Sequence, residues 1–168
     1  MTVAEAIATR RSVRKYDSRP VDETLLREVL EAARISPSAA NGQNWRFILV
    51  RDPAILAKLA VAADNQPSMI EAPAAIVALA TASRDMSCGQ PTSTVDCSIA
   101  MSYLILRAHE LGLGTCWLGR FFADKVRDAL AIPDDAVIVA MTPIGYPAET
   151  PDARPRKAFD EVVSFDKY

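Results

Sequence analysis

The sequence predicts one domain in which helices pack on a central β-sheet. The chain has 168 residues, half of them hydrophobic, so it can bury a core without disulfides or metal. Segments with helical spacing of apolar residues alternate with short runs rich in β-branched and aromatic residues. Residues 73–80 carry no charge, which is typical of a strand covered on both faces. No internal repeat or second domain is found, and residues 1–168 are assigned to a single domain.

The first two elements are predicted to be helices. Thr2 and Glu5 have the spacing of a capping box, which opens a helix that runs towards Thr9. After Pro20, apolar residues recur on one helical face until Ser36–Pro37, where proline restricts the residue before it. The residues of that face are Leu25, Leu26, Val29, Leu30 and Ala33.

The middle of the chain predicts a loop, a strand and a third helix. A polar loop of small residues, 38–44, precedes a strand at residues 45–50, which are rich in aromatic and β-branched side chains. The third helix follows Asp52–Pro53. Residues 81–94 show no periodicity, and we expect them to form the longest loop, of a length that serves as a lid.

The second half of the chain predicts two more helices and a core strand. Residues 95–111 predict a helix with apolar residues around most of its circumference. Such a helix is buried either in a core or against a partner subunit, and in a domain of this size a partner subunit is the preferred interpretation. Gly112 is expected to end this helix as a left-handed cap, and Asp124 to cap the next helix. Residues 136–141 predict the last core strand. The alternating tail, 159–165, is expected to add a strand to a sheet edge of its own chain or of a partner.

Charge and cysteine content exclude several classes of protein. The balance of 19 basic and 21 acidic residues disfavours general nucleic-acid binding, which needs a basic stripe. The N-terminus lacks the pattern of a signal peptide, and no apolar run is long enough to cross a membrane. An odd number of cysteines without CxxC spacing argues against disulfides and a zinc site and favours a cytoplasmic location. These are Cys88, Cys97 and Cys116.

A dense basic cluster ends the first predicted helix. Residues Arg10–Arg14 place three guanidiniums and the Ser12 hydroxyl within five positions. Arginine stays ionised and can hold phosphate oxygens in two parallel hydrogen bonds, so the cluster suits a phosphate group. Alone, such a cluster is more often a solvated surface patch. A second basic group at residues 154–157, in an otherwise neutral chain, strengthens the phosphate interpretation.

Five segments, in this order, together resemble the nitroreductase family across essentially the whole chain. They are Arg10–Arg14, Ser36–Phe47, Leu111–Gly119, Ile144–Pro147 and Arg156–Lys157. The resemblance implies an α+β fold with a mixed, mostly antiparallel central sheet flanked by helices. It also implies an intertwined homodimer with two FMN molecules at its interface. The alternation of elements alone would instead predict a doubly wound sheet, although no GxGxxG follows the first strand.

The resemblance assigns the phosphate of FMN to both ends of the chain. Arg10 and Ser12 hold it together with Arg156, and Lys157 reinforces the grip. For Arg11, binding through its backbone and a solvent-facing salt bridge are equally open.

The flavin ring is assigned to three further segments by the same resemblance. Arg14 lies on the N1 and O2 side, where its charge stabilises the reduced ring. Small residues from the second subunit approach the ring, with two polar residues beside them. These are Pro37, Ser38, Ala39, Asn41 and Gln43. A third stretch passes N5 and offers a backbone donor; it comprises Trp117, Leu118 and Gly119. Simple core packing is preferred for the Trp117 side chain itself.

The remaining polar candidates receive structural interpretations. His109 lies in the pattern of the buried helix, and Cys116 is expected to be a small buried hydrophobe. Asp96 is interpreted as a carboxylate in the first turn of the long helix, favoured by the helix dipole. No catalytic triad, general base or metal site is expected, because the flavin makes and breaks the bonds.

The resulting hypothesis is an FMN-dependent oxidoreductase. NADH or NADPH gives hydride to FMN, which passes it to a small-molecule acceptor such as a nitroaromatic, a quinone or an activated alkene. A reductive dehalogenase related to iodotyrosine deiodinase is a second hypothesis, although Gly119 stands where that branch has a hydroxylated residue. An FMN-binding storage or sensor protein is a third hypothesis, and an interaction domain without cofactor is a fourth.

Overall fold

A four-stranded antiparallel sheet lies between two layers of helices in the computed structural model, which describes residues 1–168. The helices are α1 (Val3–Thr9), α2 (Glu23–Arg34), α3 (Pro53–Ala62), α4 (Pro67–Glu71), α5 (Thr92–Glu110) and α6 (Ala123–Leu130). The strands are β1 (Trp45–Val50), β2 (Ala74–Ala80), β3 (Gly114–Thr115) and β4 (Val137–Gly145), in the order β1-β2-β4-β3.

The direction of the strands confirms the α+β fold. Every neighbouring pair in the sheet is antiparallel, so the doubly wound sheet suggested by the alternation of elements is wrong. A single parallel bridge, between Ser12 and Thr115, joins the segment after α1 to β3. None of the helices combines the length and the apolar character needed to cross a bilayer.

The two large hydrophobic cores lie on opposite faces of β2. Ile76 belongs to the core formed with α2 and α5, whereas the next residue, Val77, belongs to the core formed with α3 and α6. This alternation follows from the two-residue period of a strand. All seven residues of β2 are buried, which confirms the prediction of a strand covered on both faces.

Several local predictions are confirmed. Thr2 and Glu5 form the capping box of α1, and β1 has the predicted bounds. Gly112 follows α5 with a φ of +78°, the left-handed conformation expected of a cap. The helix α5 has nine residues buried within its own chain, which is the core burial that was one of the two alternatives for this helix and not the preferred one.

Other predictions are wrong in their bounds. The helix α6 starts after Phe122, which has no side-chain cap, so the predicted cap, Asp124, lies inside the first turn.

The loop after β2 ends where α5 begins at Thr92, and it is shorter than the connection from α1 to α2, so it is not the longest loop. It closes on itself, because the Thr92 N–H donates to the Arg84 carbonyl at 2.9 Å and the Arg84 N–H donates to Thr92 Oγ1 at 3.1 Å.

The C-terminal tail adds no strand to the sheet of its own chain. Its only regular structure is a short 3₁₀ turn at Phe159–Glu161. Four large hydrophobic residues of the tail are exposed: Phe159, Val162, Phe165 and Tyr168.

The segment after α1 runs between β3 and the chain that follows β4. The Val13 N–H donates to the Thr115 carbonyl at 2.9 Å, and the Asp17 N–H donates to the Tyr146 carbonyl at 2.9 Å. Glu149 Oε1 accepts from the N–H of Arg14 at 2.6 Å. These contacts bring the two basic ends of the chain together.

Gly114 makes this arrangement possible by its lack of a side chain. A Cβ at this position would lie 2.8 Å from Cβ and 2.9 Å from Cγ1 of Val13. Both residues are buried, so the neighbouring segment cannot move aside without losing its hydrogen bond to β3.

We expect Gly114→Ala to reduce the free energy of unfolding by about 1–3 kcal/mol, because overpacking a buried contact strains its neighbours. Urea unfolding followed by circular dichroism measures the change. Gly119→Ala is the control, since its Cβ would meet only Trp117 Nε1, at 4.0 Å. A Gly114→Ala protein as stable as the control would show that the close contact with Val13 is not required.

Candidate functional site

Both ends of the chain line one cavity of about 620 Å³. The first wall is the end of α1 and the segment after it, and the second wall is residues 151–156. Five arginines and one serine supply most of its hydrogen-bond donors: Arg10, Arg11, Ser12, Arg14, Arg154 and Arg156. We call this set the arginine cradle.

None of the five guanidiniums in the cradle forms an ion pair with a carboxylate, although Asp152 also lines the cavity. By contrast, six arginines elsewhere in the chain do pair with Asp or Glu: Arg27, Arg34, Arg51, Arg107, Arg120 and Arg127. Like charges held together without paired carboxylates repel one another and attract an anion. The cradle is therefore suited to a phosphate group.

Backbone carbonyls orient several side chains of the cradle. Arg11 Nη1 donates to the carbonyls of Ala8 at 2.9 Å and Arg10 at 2.8 Å. Arg14 Nη1 donates to the Ser12 carbonyl at 3.2 Å, and Arg156 Nη1 to the Arg154 carbonyl at 3.3 Å. Arg11 has no acidic partner, so the solvent-facing salt bridge considered for it is not present.

A second cavity, of about 350 Å³, adjoins the cradle and shares Arg10 and Ser12 with it. Trp117 and an apolar strip of α5 form its other walls, and that strip includes Ile105 and Leu106. Trp117 is 38% exposed, so the interpretation of its side chain as core packing is wrong. Polar donors at one end and apolar walls at the other suit a flat ligand with a charged group.

In the stretch around Trp117, some residues lie in the core and others at the surface. The Leu118 N–H donates to the Met141 carbonyl at 2.8 Å, and its side chain is buried. Leu118 therefore has no free N–H to offer a ligand, whereas Gly119 is exposed. Cys116 is buried in the core as predicted, and burial raises the pKa of its thiol.

The segment 37–43 lines neither cavity of its own chain. Three of its residues have a left-handed φ: Ala40 at 51°, Asn41 at 55° and Gln43 at 51°. Each such residue costs about 1–2 kcal/mol, so the conformation depends on fixed contacts. Within the segment, Ser38 Oγ accepts from the Gln43 N–H at 3.1 Å.

Asp96 supplies a contact to this segment from outside. Its Oδ1 accepts from the Ala39 N–H at 3.0 Å, and the residue is buried. The interpretation of Asp96 as a first-turn carboxylate is wrong, because α5 begins four residues earlier, at Thr92. No periodicity in the sequence signals this contact between distant segments.

Two basic residues differ from the assignments made by resemblance. Arg154 lines the cradle but is not among the residues assigned to the phosphate, although it belongs to the predicted basic group. Lys157 is exposed and lies outside the lining of the cavity. Residues 151–156 line the cavity without a break, and Lys157 is the first residue beyond this lining.

His109 and Tyr16 respond to the charge and burial around the cradle. His109 Nε2 lies 2.8 Å from Thr9 Oγ1, and burial together with the charges of Arg10 and Arg11 lowers its pKa. Burial also raises the pKa of Tyr16, whose hydroxyl donates to the Val13 carbonyl at 2.7 Å. Tyr16 therefore remains protonated and keeps the segment after α1 in place.

Comparison with known proteins identifies related chains. The sequence model of the Nitroreductase family matches residues 7–68 and 60–146. A protein of Methanothermobacter thermautotrophicus, provisionally named NADH dehydrogenase/NAD(P)H nitroreductase, is 39% identical over 92% of this chain and 82% of its own length.

Solved structures have the same fold. A nitroreductase family protein of Clostridium difficile 630 has a TM-score of 0.91 at 28% identity and covers 100% of both chains. An FMN-dependent nitroreductase of Clostridium difficile R20291 has a TM-score of 0.84 at 30% identity, over 98% of this chain and 99% of its own.

The lone histidine provides a test of the cradle's charge. We expect the pKa of His109, measured by NMR titration, to lie below 6.5 because of burial and the nearby guanidiniums. As the pH falls through 6.5, the unfolded chain binds a proton first, so this residue lowers stability on the acid side. Arg10→Gln or added inorganic phosphate should raise the pKa of His109.

Arg27→Gln is the matched control for that titration, because Arg27 pairs with Glu23 on α2 outside the cradle. The control should leave the pKa of His109 unchanged. A pKa at or above 6.5, insensitive to both Arg10→Gln and phosphate, would contradict the charge distribution described for the cradle.

Proposed function

The chain belongs to the nitroreductase family, and from this membership we propose that it transfers hydride from NADH or NADPH, through FMN, to an electron-poor acceptor. It is an FMN-dependent NAD(P)H oxidoreductase, as the names of its relatives support. The acceptor class comprises nitroaromatics, quinones and activated alkenes. The observation that carries the proposal is the arginine cradle, where guanidiniums from both ends of the chain meet without carboxylate partners.

The donors of the cradle fit the phosphate of FMN. A phosphate monoester has three terminal oxygens and about two negative charges, and guanidinium forks match that geometry. Arg10, Ser12, Arg154 and Arg156 are assigned to the phosphate. Arg11 contributes charge at the same wall while its side chain is held by carbonyls at the end of α1.

The second cavity fits the flat part of the cofactor. When bound, FMN supplies the site at N5 that accepts and releases hydride. Trp117 and the apolar strip of α5 would exclude water from one side of a ring held in this cavity. Arg14, a member of the cradle, is assigned to the ring rather than to the phosphate, where its permanent positive charge would stabilise the negative charge of a reduced ring. The backbone donor towards N5 is assigned to Trp117 or Gly119, since the Leu118 N–H is already engaged.

The homodimer predicted from the family resemblance completes the proposed site. Pro37, Ser38, Ala39, Asn41 and Gln43 line neither cavity of their own chain and are assigned to the flavin of the partner. Three features of the single chain support an interface: the apolar residues exposed on the tail, the exposed Tyr103 on α5, and the unpaired edge of β1. The arm from 159 onwards is assigned to the sheet edge of the partner.

Anaerobic absorption spectroscopy tests the proposed function. FMN is added to the purified protein, followed by NADH or NADPH, and then by a quinone or nitroaromatic. We expect the flavin band to bleach with the nicotinamide and to recover with the acceptor. Bound flavin that never bleaches would instead indicate storage or sensing. Recovery only with a halogenated phenol would indicate a reductive dehalogenase, and no FMN binding would refute the proposal.

Two arginine variants should separate the binding of FMN from the tuning of its midpoint potential. Arg156→Ala should raise the FMN dissociation constant about tenfold or more, because a hydrogen bond to a charged group contributes about 1.5–3 kcal/mol. Arg14→Ala should retain FMN but lower its midpoint potential by about 30 mV, which corresponds to about 1.4 kcal/mol for two electrons. Fluorescence titration and redox titration measure the two effects.

The exposed Arg27→Ala is the control for both arginine variants, since it removes an equal charge on α2 outside the cradle. It should change neither the dissociation constant nor the potential. Equal losses of affinity in Arg14→Ala and Arg156→Ala, with an unchanged potential in the retained flavin, would contradict the separate roles.

Deletion of residues 159–168 should weaken the dimer, because it removes the four exposed hydrophobic side chains of the arm. Sedimentation velocity over a range of protein concentrations measures the dissociation constant, which should rise at least about tenfold. A control variant that keeps the arm but carries Arg27→Ala should remain dimeric. A full-length chain that sediments as a monomer would contradict the proposed assembly.

A further inference from the structure

We propose that Asp96 is a positioning residue that fixes the segment 37–43 for its contact with the flavin of the partner subunit. This inference rests on the proposed function, because the family resemblance assigns that segment to the flavin. It adds to the assignment a residue outside the segment, on α5, that determines where the segment lies.

The hydrogen bond from the Ala39 N–H to Asp96 Oδ1 is the one that joins residues 37–43 to another part of the fold, whereas the next residue, Asn44, accepts from the Thr81 N–H at 3.0 Å. The other hydrogen bonds made by residues 37–43 stay within the segment. They join Ser38 to Asn41 and Gln43, and Ala39 to Gly42. These internal bonds define the shape of the segment, but they do not anchor it to the fold.

The conformation of the segment makes such an anchor necessary. Ala40, Asn41 and Gln43 have a left-handed φ, and the first of them has no side-chain oxygen to stabilise that conformation. The residues from Ala40 to Gln43 are also exposed, so little apolar packing holds them. A segment with these properties would sample other conformations if its external hydrogen bond were lost.

The carboxylate of Asp96 is suited to this single task. The residue is 5% exposed and forms no ion pair, so the Ala39 N–H is the partner that compensates for its burial. The neighbouring residue, Cys97, does not supply a second charged acceptor for the Ala39 N–H. Burial and the charge of Asp96 raise the pKa of the Cys97 thiol to about 12, which keeps it protonated.

The place of Asp96 on α5 links the two halves of the proposed site. About two turns further along the same helix, Ser102, Ile105 and Leu106 line the second cavity of this chain. One rigid helix therefore contacts the flavin site of its own chain and anchors the segment assigned to the partner's flavin. The position of the segment relative to the helix is determined by the bond between Asp96 and Ala39.

Hydrogen exchange on the full chain tests the anchor without reference to activity. We expect the Ala39 amide to exchange at least about tenfold faster in Asp96→Ala than in the natural sequence, because its acceptor is lost. Asp96→Asn keeps an acceptor oxygen and should restore slow exchange. The control is Ser93→Ala on the same helix, where an equally buried residue pairs with Ser83 and forms no hydrogen bond with the segment.

The bound flavin provides the second readout. In Asp96→Ala we expect the FMN dissociation constant to rise about fivefold and the visible circular dichroism of the flavin to change. Asp96→Asn should recover both, and Ser93→Ala should change neither. If Asp96→Ala does not fold, Ala39→Pro removes the donor instead. The extended Ser38, at φ −139° and ψ 159°, tolerates a following proline, and the same change in the flavin is expected.

Different failures have different meanings. Unchanged exchange of Ala39 in Asp96→Ala, or an unchanged flavin spectrum once that amide is released, would overturn the inference. The inference would also be overturned if Asp96→Asn changed the Ala39 exchange rate and the FMN binding as strongly as Asp96→Ala does. The acceptor oxygen would then not be what holds the segment in place. If the natural sequence binds no FMN, the proposed function is refuted, and with it the part of the inference that concerns the flavin. The exchange rate of the Ala39 amide would still decide whether Asp96 anchors the segment.

Discussion

The pairing of the segment after α1 with β3 and with the chain beyond β4 is the constraint on which the candidate site depends. It brings five guanidiniums together although no carboxylate pairs with them. Mutual repulsion would separate these groups in a flexible chain. The backbone hydrogen bonds of Val13 and Asp17, and the buried Tyr16, hold them in place instead. The fold thus holds these unpaired guanidiniums around one cavity, as the proposed anion site requires.

This arrangement explains why both ends of the chain are needed for one site. Glu149 uses its carboxylate on the N–H groups of Arg14 and Lys15, so it ties the segments together and leaves the Arg14 guanidinium unpaired. A carboxylate that paired with the guanidinium instead would cancel one of the five positive charges of the cradle. The carboxylate of Asp96, on α5, is likewise used on a backbone N–H, that of Ala39.

Local structure could be predicted from the sequence wherever neighbouring residues determine it. The capping box of Thr2 and Glu5, the bounds of β1 and the left-handed Gly112 all depend on residues within a few positions. The antiparallel direction of the strands could not be predicted from periodicity, because an apolar run is the same in either direction. The family resemblance supplied that information.

The site was predictable in part for the same reason. Basic residues at 10–14 and 154–157 are visible as clusters, but which of them face the cavity depends on the course of the chain, which selects Arg154 over Lys157. The exposure of Trp117 and the bond between Asp96 and Ala39 arise from packing between distant segments. No local pattern in the sequence reports such contacts.

The comparison of FMN with riboflavin tests the central claim most directly, since riboflavin lacks only the phosphate that the arginine cradle is proposed to hold. Two charge-assisted hydrogen bonds contribute about 1.5–3 kcal/mol each. Calorimetric titration should therefore show that FMN binds at least about a hundredfold more tightly than riboflavin. Binding of the two flavins with equal affinity would contradict the account, because the cradle would then contribute nothing to holding the cofactor.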